Sequence, residues 1–257
     1  MKVVLLAGGF GTRMSEYTSD IPKPMVPIGG KPILWHLMSY YSEYGHKDFF
    51  LALGYKSEVV KQFFLQYNIL NSDFKIDFSK NSIEPINKGN LDWNVHLIDT
   101  GLNTMTGGRL KRLKKYINNE TFMLTYGDGL SNVDLNKLIE FHKSHGKIAT
   151  MSAVRPVAKF GELIINEQGE VESFKEKPQL EQGWINGGFF IFEPEIFDYL
   201  GGDEIMLERE PLEKLVINSQ LMSYKHDGFW KCMDTKRDHE QFEKMYSEGN
   251  TPWIRKY

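Results

Sequence analysis

The feature that most constrains this chain is an unbroken apolar run, Val3 to Ala7, that stops on glycines: "VVLLAGGFGTR". A short run without alternation is that of a strand buried on both faces, as in parallel sheets covered by helices. The glycines let backbone N–H groups turn tightly and approach an anion, and a following helix would add its positive end. Neither common phosphate loop is matched. A P-loop needs Lys and Ser or Thr directly after its last glycine, where this chain has Thr12 and Arg13. The dinucleotide fingerprint needs a third glycine where Met14 stands. Arg13 can instead fork two N–H bonds onto phosphate oxygens. Taken alone, the stretch reads equally well as a glycine turn carrying a surface arginine.

The pattern downstream alternates strand and helix. Pro32 opens a predicted helix with Ile33, Leu34, Leu37, Met38, Tyr41 and Tyr44 at helical spacing, stopped by Gly45. Asp48 to Leu53 is a second apolar strand, and Ser57 is the expected cap of a helix carrying Val60, Phe63, Phe64 and Tyr67. Residues 68 to 100 interrupt the pattern. "DFKIDFSK" alternates as a half-exposed strand, "NVHLIDT" is its expected partner, and the whole reads as an inserted hairpin or lid. Alternation resumes with a strand at Phe122 to Tyr126, a helix capped by Asp134, and a strand at Ile148 to Val154. The chain then turns β-rich, with a hairpin bending at Gln168-Gly169 and the strand "INGGFFIF", before helices near 194 to 200, 209 to 218 and 236 to 249. The sum is an α/β chain with a mostly parallel sheet flanked by helices and no clear internal boundary over its 257 residues.

Composition enters mainly to exclude. A net charge of −3 provides no basic field for nucleic acid, and "RLKRLKK" reads as a solvated helix face. Cys232 is the only cysteine, so no disulfide closes within the chain, and a reducing cytoplasm is the expected location. The first apolar run is too short for a signal peptide or a membrane span. His142 and His145 fall near a helix end and are expected to be solvated.

A second element follows the glycine loop. In "IPKPMVPIGGKPIL", Pro22 and Pro24 stiffen the backbone around Lys23 and restrict where its ammonium can point. Gly8, Gly9, Gly11, Thr12 and Arg13, followed by Pro22, Lys23 and Pro24, strongly resemble the paired motifs of the nucleotidyltransferases that make nucleotide sugars. The resemblance continues in order along the chain. "YGDG" ends a predicted strand, and its Asp128 is similar to the family's metal-binding aspartate; by itself it reads as an Asp-Gly turn. "FKEKP" is similar to the Glu-Lys-Pro element, which implies that Glu176 accepts from sugar hydroxyls and Lys177 meets the sugar phosphate. "INGGFFIF" resembles the next sugar element, with Asn186 as a polar contact and Gly187 leaving room for the ring. "FWKCMDT" carries Asp234, similar to the second metal aspartate, although Thr235 follows directly where the family usually interposes a glycine. An extended segment there puts Trp230, Cys232 and Asp234 on one face, and Cys232 reads as a packing residue.

The likeness is sharpest, around "DTGLNTMTGGRLKR" and "GGKPILWH", to the branch of the family that activates glucose 1-phosphate with CTP. It implies a Rossmann-like sheet with a smaller β-rich sugar-binding part. Residues 1–130 would serve mainly the nucleotide and 131–235 mainly the sugar phosphate, with 236–257 as a final helix and tail. It also implies Mg²⁺ held by Asp128 and Asp234, and a homo-oligomer, a hexamer, with the 68–100 insertion at a subunit contact. Leu6, Ala7, the Gly8 to Arg13 loop and Gly127 would hold the nucleotide, with Arg13 and Lys23 in the catalytic roles. Thr104, Gly107 and Arg109 would rim its base: threonine hydroxyls or nearby carbonyls accept, and Arg109 donates. That last stretch also reads as a capped helix start with an exposed arginine. Two other functions fit the same motifs, a relative using UTP, dTTP or GTP and a catalytically silent sugar-nucleotide-binding subunit.

Overall fold

The computed structural model describes residues 1–14, 18–86, 91–117, 119–156, 162–165, 168–175 and 183–255. Seven strands form the central sheet: β1 (Lys2–Leu6), β2 (Asp48–Leu53), β3 (Asn94–Asp99), β4 (Phe122–Tyr126), β5 (Ala149–Val154), β6 (Ile185–Phe192) and β7 (Leu221–His226), in the order β7-β5-β6-β4-β1-β2-β3. Only β6 runs antiparallel to its neighbours β5 and β4; every other adjacent pair is parallel.

The apolar run behaves as the physics of a doubly covered strand requires. Val3 and Leu5 point into one core and Val4 and Leu6 into the other, so alternation exists but both sides are apolar. On the first side pack α1 (Ile33–Glu43), α2 (Ser57–Leu70) and, further along, Phe242 and Trp253. On the other lie α3 (Thr106–Arg112), through Leu110, and the 196–215 region, through Ile196, Phe197, Leu212 and Leu215. Further helices among the described residues include a short one at Lys114–Ile117 and the longer α4 (Leu135–His145), α5 (Glu210–Ile217) and α6 (Lys236–Ser247). The tail is tied down by Trp253, 1% exposed, whose indole donates to His36 Nδ1 at 3.4 Å.

Local chemistry accounts for some element ends. Gly45 follows α1 at φ +82°, and the Asp134 carboxylate accepts from the backbone N–H groups of Asn136 and Lys137 to start α4. Three expectations need correction. Ser57 does not cap α2. Lys56 stands at that position with φ +49°, because the chain leaves β2 through a tight turn at Gly54. "NVHLIDT" does not pair with "DFKIDFSK": it is β3, parallel to β2 at the sheet edge, and Phe74–Asp77 pairs with Ser82–Pro85 instead. The insertion is therefore a smaller hairpin than the one expected. His142 is buried, not solvated. It bridges Thr150 Oγ1 at 2.8 Å and Glu193 Oε1 at 3.0 Å, because its face of α4 is turned onto the sheet.

Candidate active site

A cleft of about 700 Å³ opens at the carboxyl ends of β1 and β4 and the amino end of the antiparallel β6, on the side of the sheet where α/β folds place their ligands. Leu6, Ala7, Gly8, Gly9, Gly11 and Thr12 line one wall, Lys23, Gly127, Asp128 and Asp234 the floor, and Asn186 and Gly187 the far side. Motifs spread over more than two hundred residues are thus brought into one cavity.

The loop after β1 ends in a 3₁₀ turn, Thr12–Met14, set by Gly11 at φ +64°. A side chain at Gly11 would meet Thr18 Cγ2 at 2.9 Å and Lys23 Cβ at 3.1 Å, so glycine is needed for both torsion and space. Arg13 lies in this turn; its side chain is outside the described set. Glu176 and Lys177 likewise lie outside the described residues.

Lys23 begins a second 3₁₀ turn, Lys23–Met25, behind Pro22. Its ammonium donates to Asp128 Oδ2 and to Asp234 Oδ1, both at 2.6 Å. Burial acts to lower the Lys23 pKa, but the two carboxylates outweigh it and the net shift is upward. The aspartates meet because Trp230–Cys232 pairs antiparallel with Gly129–Ser131, setting Cys232 opposite Gly129, while Met233 N–H donates to the Asp128 carbonyl. The missing glycine after Asp234 has a local reason. Thr235 is the N-cap of α6 in a capping box with Asp238, whose carboxylate also accepts from the Asp234 N–H. Burial, with Asp234 and Asp128 adding to it, pushes the Cys232 thiol up to about 12, which agrees with a packing role.

Two carboxylates converging on one ammonium form a donor set that suits a hard divalent cation. Mg²⁺ is usually held by one or two carboxylates, with phosphates and water completing its shell. Among the described residues no group of three or more His, Cys, Asp or Glu gathers, so such an ion would depend on substrate oxygens for the rest.

The base-side wall differs from expectation. Arg109 is not an exposed donor at a helix start; it is 4% exposed. Its guanidinium donates to the carbonyls of Leu53, Gly101, Gly8 and Leu102 at 2.7–3.2 Å, and to Thr100 Oγ1 at 2.8 Å. Burial pulls its pKa down, partly offset by Asp99. It braces the strand ends of β1, β2 and β3 beneath the glycine loop. A Cβ on Gly8 or on Gly54 would lie 2.4 Å from its Nη1, which explains both glycines. Gly107 does not line the cleft; it packs on Ile205, its N–H donating to the Ile205 carbonyl at 2.9 Å. Thr104 remains on the wall, buried, beside Met105 and Thr106.

On the sugar side, Asn186 donates to the Tyr126 hydroxyl at 3.4 Å, and Trp230 Nε1 donates to the Gly187 carbonyl at 2.7 Å. A Cβ on Gly187 would strike Ser152 Oγ at 2.6 Å. Tyr126 donates in turn to Glu208 Oε1, and Thr106 donates to Glu208 Oε2, both at 2.6 Å. Glu208 thus ties the two walls together. No local pattern marks it, since its partners lie 82 and 102 positions away.

Comparison with known proteins agrees with this geometry. A family profile described as nucleotidyl transferase matches residues 2–235. A protein of Salmonella typhi named glucose-1-phosphate cytidylyltransferase is 48% identical over 254 residues, covering 98% of each chain. One of Bacillus subtilis, named probable glucose-1-phosphate cytidylyltransferase, is 44% identical, covering 98% of this chain and 99% of that one. The crystal structure of HddC from Yersinia pseudotuberculosis complexed with GMP-PN superimposes with a TM-score of 0.67 at 28% identity, covering 95% of this chain and 99% of that one. A cleft of this build, at the ends of the central strands, together with a match over nearly the whole chain, places this protein in the nucleotidyl transferase family.

Proposed function

We propose that this chain transfers a cytidylyl group from CTP to α-D-glucose 1-phosphate, releasing CDP-glucose and pyrophosphate. The observation that carries the reading is the convergence, in one cleft, of the glycine loop, Lys23, Asp128 and Asp234 with Asn186 and Gly187. The 48% identity to a glucose-1-phosphate cytidylyltransferase over 98% of both chains supports the choice of substrates.

A phosphate oxygen of the sugar phosphate attacks the α-phosphorus of CTP. That P–O bond forms as the bond to the β-phosphate oxygen breaks, and pyrophosphate carries away the electron pair. No covalent enzyme intermediate is needed, so the protein contributes positioning and charge. In this reading the Gly8 to Thr12 amides and Arg13 hold the leaving phosphates, and Lys23 steadies the phosphate at the reaction centre. Glu176 accepts from sugar hydroxyls, Lys177 meets the sugar phosphate, and Asn186 is a further polar contact to the sugar. Asp128 and Asp234 would hold Mg²⁺, which when bound neutralises charge on the phosphate oxygens. Arg109 acts from beneath the loop rather than on the base.

Competition kinetics test the reading. Cytosine offers an N4 donor where uracil offers an acceptor, and one such mismatch costs about 1–3 kcal/mol, roughly ten- to over a hundredfold in kcat/KM. CTP is expected to exceed UTP by that factor with glucose 1-phosphate as acceptor; equal kcat/KM for the two would sink the cytidine assignment. The same reading includes a homo-oligomer, a hexamer. Exposed Leu70, Phe78, Ile83 and Ile86 on and beside the insertion support a subunit contact there, and light scattering in solution measures the state. Among the described residues no helix is long and apolar enough to cross a membrane, in keeping with the cytoplasmic location this reading assigns.

A further inference from the structure

Lys23 is placed where a cation belongs. Its Nζ stands 2.6 Å from an oxygen of Asp128 and 2.6 Å from an oxygen of Asp234. A divalent ion bound by both carboxylates would sit at about 2.0–2.6 Å from those oxygens, which is the volume the ammonium fills. The two cannot share it. For the ion to enter, the ammonium has to leave.

Leaving is costly without a replacement partner. The Lys23 side chain is 12% exposed, and pulling a half-buried ammonium away from two carboxylates gives up both charge-assisted bonds at once. Its stem is held, because Gly11 packs so closely that a Cβ there would lie 3.1 Å from Lys23 Cβ. The ammonium can therefore move only by rotation about that stem. Lys23 lines the same cleft as the Gly8 to Thr12 loop, so a phosphate seated on the loop would offer it new oxygens.

We infer that Lys23 is a gate on the metal position: in the free protein it occupies the point between Asp128 and Asp234, and nucleotide phosphate draws it away and opens that point to the cation. This rests on the nucleotidyl-transfer reading of the cleft. It makes cation and nucleotide binding interdependent, and by linkage each strengthens the other through a single side chain. It also gives Lys23 a positioning role before chemistry, apart from its contact with phosphate in the reaction. In the free protein the ammonium balances part of the charge of two nearby carboxylates, so the pair is held in place before any ion arrives.

The test uses Mn²⁺ alone, with the full-length protein, no nucleotide and no sugar phosphate, at pH 8 so that the carboxylates are ionised. Free Mn²⁺ is counted by electron paramagnetic resonance for wild type, Lys23→Met, Lys23→Gln and the double variant Lys23→Met with Asp128→Asn. The wild type is expected to bind weakly. Each neutral variant should bind at least tenfold tighter, and the double variant should lose that gain. Circular dichroism and melting curves establish that the variants are folded, and Gln replaces Met as the reference if Met is not tolerated. Neutral variants that bind Mn²⁺ no tighter than wild type would overturn the gate. So would a gain that survives Asp128→Asn, since the ion would then lie elsewhere. Because no substrate is present, the result is independent of turnover. A wild type that makes CDP-glucose while the neutral variants show no gain defeats the gate alone. A gain in a protein that prefers another nucleotide defeats the base assignment alone.

Discussion

Two cations line the same cleft and do opposite things. Lys23, on the floor, faces the cavity and meets two carboxylates brought together by a short antiparallel strand pair. Arg109, on the base-side wall, turns its donors inward onto four backbone carbonyls and one hydroxyl. Both belong to glycine-containing motifs and both read from sequence as ligands for substrate. The difference lies in what surrounds them. A lysine presents one compact charge on a stem that can swing, so it suits a site where partners change. An arginine presents a planar fork, so it suits a fixed set of acceptors. The floor is built for exchange of charge and the wall for rigidity.

The sharpest way to break this contrast is at the floor. Asp128→Asn keeps the shape but removes a charge that a hard cation needs, and it leaves Lys23 with one carboxylate. Transition-state stabilisation by such an ion is worth several kcal/mol, so turnover should fall by about a thousandfold while the protein stays folded. Pyrophosphate release measured with and without excess EDTA checks both halves; a near-normal rate in the variant would refute the assignment.

At the wall the expected failure is of a different kind. Arg109→Met takes a buried donor from the carbonyls of Gly101 and Leu102, at about 1–3 kcal/mol for a group left unsatisfied, while the Gly8 carbonyl keeps the Tyr55 N–H and the Leu53 carbonyl keeps Thr100. Melting temperature should drop clearly and KM for the nucleotide should rise more than KM for glucose 1-phosphate. The ratio of CTP to UTP use should stay roughly constant, because the brace acts on the loop both nucleotides share. A stable variant with a changed ratio would show that Arg109 touches the base after all.

Gly11→Ala sharpens the comparison, since this glycine connects the phosphate loop to the lysine stem. At φ +64°, and with Thr18 Cγ2 2.9 Å from the added carbon, alanine should cost about 1–2 kcal/mol. Chemical denaturation measures that cost, and the accompanying loss of kcat/KM should be smaller than for Asp128→Asn.

The smallest effect is expected far from both walls. His36 Nε2 lies 2.8 Å from the Ile28 carbonyl and its Nδ1 accepts from Trp253, an arrangement for the neutral ring with its proton on Nε2. Burial lowers its pKa below the ordinary histidine value. The unfolded chain therefore takes up a proton near pH 6.5 that the folded chain resists, and this contribution to stability is lost as pH falls below about 6.5. Melting curves between pH 7.5 and 5 should show a decline that His36→Gln reduces.

Much of the cleft was legible because its motifs are short and chemically unusual. Glycines before Thr12 and Arg13, prolines around Lys23, and aspartates at predicted strand ends each limit the chemistry locally. Elements whose partners lie far along the chain were not legible. "NVHLIDT" has the same composition whether it closes a hairpin or lies parallel beside Asp48–Leu53, and only the packing of the sheet decides which. His142 reads as a polar residue near a helix end until the angle of that helix turns it onto Thr150 and Glu193.

By itself the sequence determined the alternating α/β order, the doubly buried first strand and the identity of the charged groups, since periodicity and backbone torsion are local properties. Tertiary structure alone decided which charges meet. Asp128 and Asp234 converge because their two segments are pinned by a short antiparallel pair, with Lys23 reaching both from a 3₁₀ turn, and Arg109 disappears under the glycine loop because the ends of three parallel strands point their carbonyls at it. Electrostatic and hydrogen-bond partners are set by distances of a few ångströms, and those distances exist only once the sheet has assembled.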